Sequence, residues 1–115
     1  MENLEKIHNY RTIIKQILRQ YASYKPSYGE IEIQTLFDIE NDHYQVLWLG
    51  WNTKDERVYG CSMHLDIQAG KIWIQANNTE MDIAEALVER GVPKEDIVIG
   101  LQPAYLRPYT GYAIA

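Results

Sequence analysis

Two histidines and one aspartate are the residues whose types and spacing could carry chemistry. His64 and Asp66 lie two positions apart in a run that reads as a β-strand, so their side chains point to the same face. His43, with Asp42 beside it, falls on the preceding hairpin and could join them. Such a set could hold a metal ion or work as a His–Asp acid/base pair. The alternative is a solvated strand face on which Asp66 serves the following turn. We favour this alternative, because the sequence offers no dependable third and fourth ligand.

Three basic residues form a second candidate surface. Arg11, Lys15 and Arg19 recur every four positions on the first predicted helix and make a continuous basic edge beside its apolar face. The edge could contact phosphates or an acidic partner. The alternative is that these long side chains lie along the margin of the core and keep the helix soluble. We favour the second interpretation, and expect no DNA binding by the chain alone, because the net charge is −5.

The only cysteine, Cys61, falls among apolar residues and is predicted to be a core residue, not a reactive thiol. A single cysteine allows no intrachain disulfide, which fits a reducing, cytoplasmic compartment. The N-terminal residues carry charge where a signal peptide would need an apolar run, and no apolar stretch approaches membrane-spanning length. No nucleophile with an adjacent base and no phosphate-binding loop is evident. We therefore predict no catalytic residue, no cofactor and no membrane contact.

The elements that position these residues follow from apolar periodicity. A helix is predicted over residues 3–24, with Leu4 on its buried face and Lys25-Pro26 ending it. Four alternating runs, residues 31–37, 44–51, 58–67 and 71–75, then predict an antiparallel meander. A second helix with Thr79 as its N-cap and a short C-terminal strand at residues 97–99 complete the chain. The prediction is one α+β domain, residues 1–115, with its helices packed on one sheet face.

Face assignments within the meander depend on this alternation. The second run is apolar on both faces, which predicts a central strand covered on both sides. In the third run Tyr59 and Cys61 alternate in phase with the other apolar residues, so both are predicted to face the core. The opposite face, which carries His64 and Asp66, is predicted to be wet or partnered.

Large aromatic residues on the outer face of this sheet predict an interface with a partner or a second subunit. We assign to it Trp48, Trp51, Trp73, Arg107 and Tyr109. The alternative is that the C-terminal segment folds over this face.

Several blocks of the chain, in their order and spacing, resemble the XisI family. They are residues 42–45 (DHYQ), 50–51 (GW), 57–61 (RVYGC), 64–67 (HLDI), 70–75 (GKIWIQ), 91–98 (GVPKEDIV) and 107–113 (RPYTGYA). The opening helix and residues 28–32 fit as well, so the resemblance covers nearly the whole chain. It implies an XisI-like α+β fold.

The resemblance also implies a function. The XisI family comprises small proteins named as controlling factors for excision of the fdxN element, a DNA insertion removed by site-specific recombination in heterocyst-forming cyanobacteria. It implies a non-enzymatic accessory protein that acts with an XisH-like protein and a recombinase, and it carries over no catalytic residue. We further expect a homo-oligomer, a dimer in the simplest case. Two alternatives stay open: a neutralising partner of an XisH-like nuclease, and a small ligand-binding or metal protein that uses His43, His64 and Asp66.

Overall fold

The computed structural model describes residues 2–24 and 29–115. Its elements are helix α1 (Glu2–Ala22), strands β1 (Glu30–Asp38), β2 (His43–Trp51), β3 (Arg57–Gln68) and β4 (Lys71–Asn77), helix α2 (Ile83–Glu89), strand β5 (Ile97–Val98), and 3₁₀ turns at Lys94–Asp96 and Ala104–Tyr109. The strands form one sheet in the order β1-β2-β3-β4-β5. Strands β1 to β4 pair antiparallel in succession, and β5 pairs parallel with β4. The predicted α+β fold and its four-stranded meander are confirmed, and β5 makes the sheet mixed.

The core lies between one face of the sheet, here termed the inner face, and both helices. It includes Tyr10, Ile13, Ile14, Ile17 and Leu18 of α1, Ile83 and Leu87 of α2, and Tyr44, Val46, Met63, Leu65, Ile72 and Ile74 of the sheet. The spacing of three or four positions in α1 brings its members onto one stripe. The predicted burial of Leu4 is wrong: it is 73% exposed, because the packing of α1 begins only at Ile7. The predicted helix end at Lys25-Pro26 lies outside the described residues.

A β-bulge at Ser62 divides β3 into two parts with opposite side-chain alternation. Val46 of β2 pairs with Met63, whereas the next residue of β2 pairs with Cys61, so Ser62 is the extra residue. Ser62 is fully buried, and its hydroxyl donates to the carbonyl oxygen of Val46 at 3.1 Å. The bulge turns Cys61 and Tyr59 to the outer face, where Tyr59 is 69% exposed. The prediction that these two residues face the core is therefore wrong, because an uninterrupted alternation in the sequence does not reveal the extra residue.

Helix α2 begins later than predicted. Asp82 is its N-cap and accepts a hydrogen bond from the backbone N–H of Glu85 at 3.0 Å. Thr79 instead belongs to a turn that follows β4: its backbone N–H and its hydroxyl donate to Asn77 Oδ1, and its Oγ1 accepts from the N–H of Met81. The predicted cap at Thr79 is wrong, because the carboxamide of Asn77 holds that residue in a local turn.

Among the described residues, the C-terminal segment covers one end of the outer face of the sheet. The C-terminal segment, residues 100–113, begins beside β4, where Leu101 N donates to the carbonyl oxygen of Ile74 at 3.0 Å, and ends beside β5, where Ala113 N donates to that of Ile97 at 2.8 Å. Between these two points, the guanidinium of Arg107 lies over the ring of Trp73 on the outer face. Helices α1 and α2 lie on the inner face, so the outer face of β1 to β3 carries exposed side chains. The outer face at β1 to β3 is therefore where residues can meet a partner or a ligand.

Candidate functional site

Two neighbouring strands bring the predicted polar residues together. His43, the first residue of β2, pairs with Asp66 of β3, and Gln45 pairs with His64. Residues that pair directly, and residues two apart on one strand, share a face. These four side chains therefore lie together on the outer face, and Gln75 reaches them from β4. We refer to His43, His64 and Asp66, with Gln45 and Gln75, as the His–Asp cluster.

Asp66 is the centre of the His–Asp cluster. Its Oδ1 lies 2.7 Å from Nδ1 of His43 and 2.7 Å from Nε2 of His64, and its Oδ2 accepts from Nε2 of Gln75 at 3.1 Å. The residue is only 5% exposed. A carboxylate at such depth is stable only when its oxygens are paired, and here both are.

The electrostatics of the cluster follow from this pairing. Burial acts to raise the pKa of Asp66, but the hydrogen bonds from His43, His64 and Gln75 together outweigh burial and hold the pKa below its usual value. The hydrogen bond and the negative charge of Asp66 raise the pKa of His43. Asp66 is therefore held as a carboxylate, and His43 takes up a proton more readily than a free histidine does.

An open cleft of about 480 Å³ borders the His–Asp cluster. It is lined by Leu36, Phe37, Asp38, His43, Gln45 and His64. The cleft gives solvent or a partner access to the two imidazoles, while Asp66 lies below them.

Asp42, which the sequence placed beside His43, does not join the cluster. Its carboxylate accepts from Nε and Nη2 of Arg11 at 2.7 and 3.0 Å and from the hydroxyl of Tyr44 at 2.8 Å. Arg19, further along the same edge of α1, stacks over the ring of Phe37 at 5.2 Å. Two members of the basic edge therefore contact the chain's own residues at the margin of the core.

Cys61 lies next to the His–Asp cluster but is not activated by it. Its Sγ donates to the carbonyl oxygen of Met63 at 3.2 Å and lies 3.9 Å from Nε2 of Gln45. Burial raises the pKa of the thiol, which disfavours the reactive thiolate.

The three tryptophans of the predicted interface do not form one patch. Trp48 pairs with Ile33 and lies on the inner face, two positions from the fully buried Val46. Trp51 lies on the outer face, is 47% exposed, and has the guanidinium of Arg57 over its ring at 5.2 Å. Trp48 and Trp51 thus face opposite sides of the sheet.

The C-terminal part of the predicted interface has a different arrangement. Trp73 pairs with Asp66 on the outer face, and the guanidinium of Arg107 lies over its ring at 5.1 Å. Tyr109, two residues further along, is 84% exposed. The C-terminal segment therefore partly covers Trp73 and presents Tyr109, while the interface itself stays a prediction.

Sequence reasoning missed the two glutamines of the cluster. Gln45 could have been found from the register, since it comes to lie opposite His64 once the β2–β3 hairpin is aligned. Gln75 could not, because it is the extra residue of a second irregularity: Leu65 pairs with Ile74, but His64 pairs with Ala76. A regular alternation gives no indication that Gln75 reaches Asp66.

Chemically, the His–Asp cluster is a set of metal-ligand types. One ligand atom from each of His43, His64 and Asp66 lies within 4.8 Å of the other two.

The described part of the chain contains no helix that is long and apolar enough to cross a membrane.

Comparison with known proteins adds sequence and fold relationships. The chain matches the XisI protein family over residues 4–114. Its structure is similar to the crystal structure of a XisI-like protein from Anabaena variabilis ATCC 29413, with 46% identity, a TM-score of 0.84, and coverage of 92% of this chain and 96% of that chain. It is also similar to the fdxN element excision controlling factor XisI from the same organism, with 32% identity, a TM-score of 0.78, and coverage of 96% and 99%. Among curated proteins, none matches the chain.

Proposed function

Because this chain belongs to the XisI family, we propose that it is a non-enzymatic accessory factor that controls site-specific excision of a DNA element through contacts with other proteins. The observation that carries the proposal is the similarity, at 32% identity over 96% of this chain, to a protein named as the fdxN element excision controlling factor XisI. The proposed partners are an XisH-like protein and a site-specific recombinase, and the proposed location is the cytoplasm.

The charge of the chain supports contact with protein in preference to DNA. The net charge is −5, whereas proteins that hold DNA through its phosphates are usually basic. Arg11 forms two hydrogen bonds with Asp42, and Arg19 stacks on Phe37, so both guanidinium groups have partners within the chain. A recombination factor of this charge acts most readily by binding the proteins that bind DNA.

The outer face of β2 and β3 offers a surface for such contacts. Leu49 pairs with Tyr59, and Trp51 lies two positions from Leu49, so the three side chains adjoin. We refer to them as the outer apolar patch. Tyr59 is 69% exposed and Trp51 is 47% exposed. Exposed Trp and Tyr are the residues most enriched among those that dominate binding energy at protein interfaces, especially beside an arginine such as Arg57.

The proposal is tested by co-expression with an XisH-like protein, followed by size exclusion. We expect the two proteins to co-elute. Tyr59→Ala should weaken the complex by at least about tenfold, since interface tyrosines of this kind contribute more than about 1.4 kcal/mol. The matched control is Tyr24→Ala, because Tyr24 is 61% exposed but lies just beyond α1.

Each outcome bears on a separate part of the proposal. Independent elution, with this chain a monomer, would refute the partner. If the two proteins co-elute and Tyr59→Ala and Tyr24→Ala weaken the complex equally, the proposed partner is supported, but the outer apolar patch is refuted as the contact surface. If the partner alone stops growth and co-expression restores it, the function is neutralisation of a nuclease-like protein instead of control of excision.

A further inference from the structure

We propose that the His–Asp cluster binds a divalent transition-metal ion of the zinc type, with Nδ1 of His43, Nε2 of His64 and Oδ1 of Asp66 as ligands. The three residues offer ligand atoms that lie within 4.8 Å of one another. Two imidazoles and one carboxylate match the preferences of Zn²⁺ and its neighbours, whereas Mg²⁺ and Ca²⁺ prefer sites made of oxygen alone. This site is independent of the proposed role in excision.

The geometry already directs all three ligands to one point. Both histidine nitrogens lie 2.7 Å from the same atom, Asp66 Oδ1, so each contact is a hydrogen bond with its proton in between. In a tetrahedral zinc site with bonds of about 2.0–2.1 Å, neighbouring ligand atoms are about 3.3 Å apart. An ion therefore takes the place of the two protons, each neutral imidazole then carries its proton on its other ring nitrogen, and the ligating nitrogens move outward by roughly 0.6 Å. The side chain of His43 can make this shift, because it is 50% exposed.

The carboxylate of Asp66 is oriented so that one of its oxygens can bind a single ion. Asp66 is 5% exposed, and Gln75 donates to its Oδ2 at 3.1 Å. Both histidines contact the other carboxylate oxygen, Oδ1. Partners of this kind orient metal ligands, and their loss typically weakens metal binding by about 10- to 100-fold. Gln75 is thus a positioning residue in the proposed site.

His64 also has a partner at its other nitrogen. Its Nδ1 lies 3.4 Å from Nε2 of Gln45. When Nε2 of His64 binds a metal, Nδ1 carries the proton and requires an acceptor. A half-turn of the Gln45 carboxamide supplies one, since it exchanges the amide nitrogen for the amide oxygen. The cluster therefore satisfies its hydrogen bonds both with and without the ion.

The fourth coordination position faces the cleft. Leu36 forms its apolar wall, and Asp38, which also lines it, has its carboxylate engaged by the N–H and the side-chain amide of Asn41 at 3.0 Å each. A site with three ligands from the protein and one open position takes water there or a donor from another molecule.

Calorimetric titration of the untagged protein with Zn²⁺ tests the site. We expect one ion per chain with a dissociation constant in the micromolar range or tighter. His64→Gln and Asp66→Asn should each weaken binding by at least about 100-fold, and Gln75→Leu by about 10- to 100-fold. The chain has three histidines. His8→Gln is therefore the matched control, because His8 lies on α1 away from the cluster, and this variant should bind as the wild type does.

A second measurement keeps the proposal refutable if a buried variant fails to fold. His43→Gln changes a half-exposed side chain, and its fold is checked by circular dichroism. Bound Co²⁺ should give the intense visible absorption of a four-coordinate site in the wild type and lose it in His43→Gln. Absence of saturable Zn²⁺ binding, weak six-coordinate Co²⁺ spectra, or affinity that persists in both His43→Gln and His64→Gln would overturn the site.

Discussion

Replacement of Arg11 by methionine tests whether the basic edge of α1 holds the fold together or serves a ligand. Arg11 donates to both carboxylate oxygens of Asp42, at 2.7 and 3.0 Å. Asp42 lies in the turn between β1 and β2 with φ of +58°, and its Oδ1 also accepts from the hydroxyl of Tyr44. Arg11 therefore fixes α1 to this turn, and methionine keeps the packing of the aliphatic stem while it removes the guanidinium.

The expected cost follows from the burial of the pair. The side chains of Arg11 and Asp42 are 32% and 15% exposed, so the pair lies between the surface and the interior. Loss of one partner costs about 3–5 kcal/mol for a buried pair, whereas an exposed pair contributes about 0–1 kcal/mol. Tyr44 continues to donate to Asp42 in the variant. We therefore expect about 2 kcal/mol of lost unfolding free energy, which lowers Tm by roughly 8 °C for a chain of this length.

Urea unfolding followed by tryptophan fluorescence measures this loss. The matched control is Lys15→Met on the same edge, which should change the free energy of unfolding by less than about 0.5 kcal/mol; within the described residues, none of the ion pairs involves Lys15. Asp42→Asn combined with Arg11→Met should give a coupling of about 1 kcal/mol or more. Stability of Arg11→Met within 0.5 kcal/mol of the wild type would refute the structural role of Arg11.

Two further predictions concern the backbone and a buried tyrosine. Gly50 has φ of +149°, and an added Cβ would lie 2.0 Å from the carbonyl oxygen of Glu30, so Gly50→Ala should lose at least about 2 kcal/mol of unfolding free energy in urea. The control is Gly60→Ala, where an added Cβ meets nothing within 4 Å and the free energy of unfolding should change by less than about 1 kcal/mol. Similar losses in the two variants would contradict the strand register. Burial and the hydrogen bond to Asp96 raise the pKa of Tyr10. Its contribution to stability is therefore complete below about pH 10 and falls by up to about 1.4 kcal/mol per pH unit above it. Burial raises the pKa of Tyr44 and of Tyr112 as well, so Tyr10→Phe should lower the alkaline slope without abolishing it; equal alkaline slopes in the two proteins would contradict this.

The alternation of apolar residues predicted the meander correctly because one face of the sheet packs on helices and the other does not. The same rule failed at Ser62, where one extra residue changes the facing of Tyr59 and Cys61. A bulge leaves no regular signal in the hydropathy pattern. The extra residue, Ser62, is stable in the interior because its hydroxyl donates a hydrogen bond to the carbonyl oxygen of Val46. The arrangement of residues that meet only after the strands pair is therefore hard to derive from one sequence.

In the candidate site too, the arrangement of residues close in sequence could be predicted, whereas contacts between residues distant in sequence could not. His64 and Asp66 were predicted to share a face, because two residues separated by one position on a strand always do so away from a bulge. The contact of Asp66 with Gln75 depends on the irregular pairing of β3 with β4. The engagement of Asp42 by Arg11 depends on how α1 crosses the sheet. Neither contact has a signal in local spacing.

The most direct test of the proposed function measures the excised DNA junction in a host that lacks this gene and carries an excisable element. We predict that the junction is lost and that the wild-type gene restores it. A double Trp51→Ala, Tyr59→Ala variant should fail to restore it, while Tyr24→Ala should succeed. Excision at the wild-type level in the absence of this gene would contradict the proposed function.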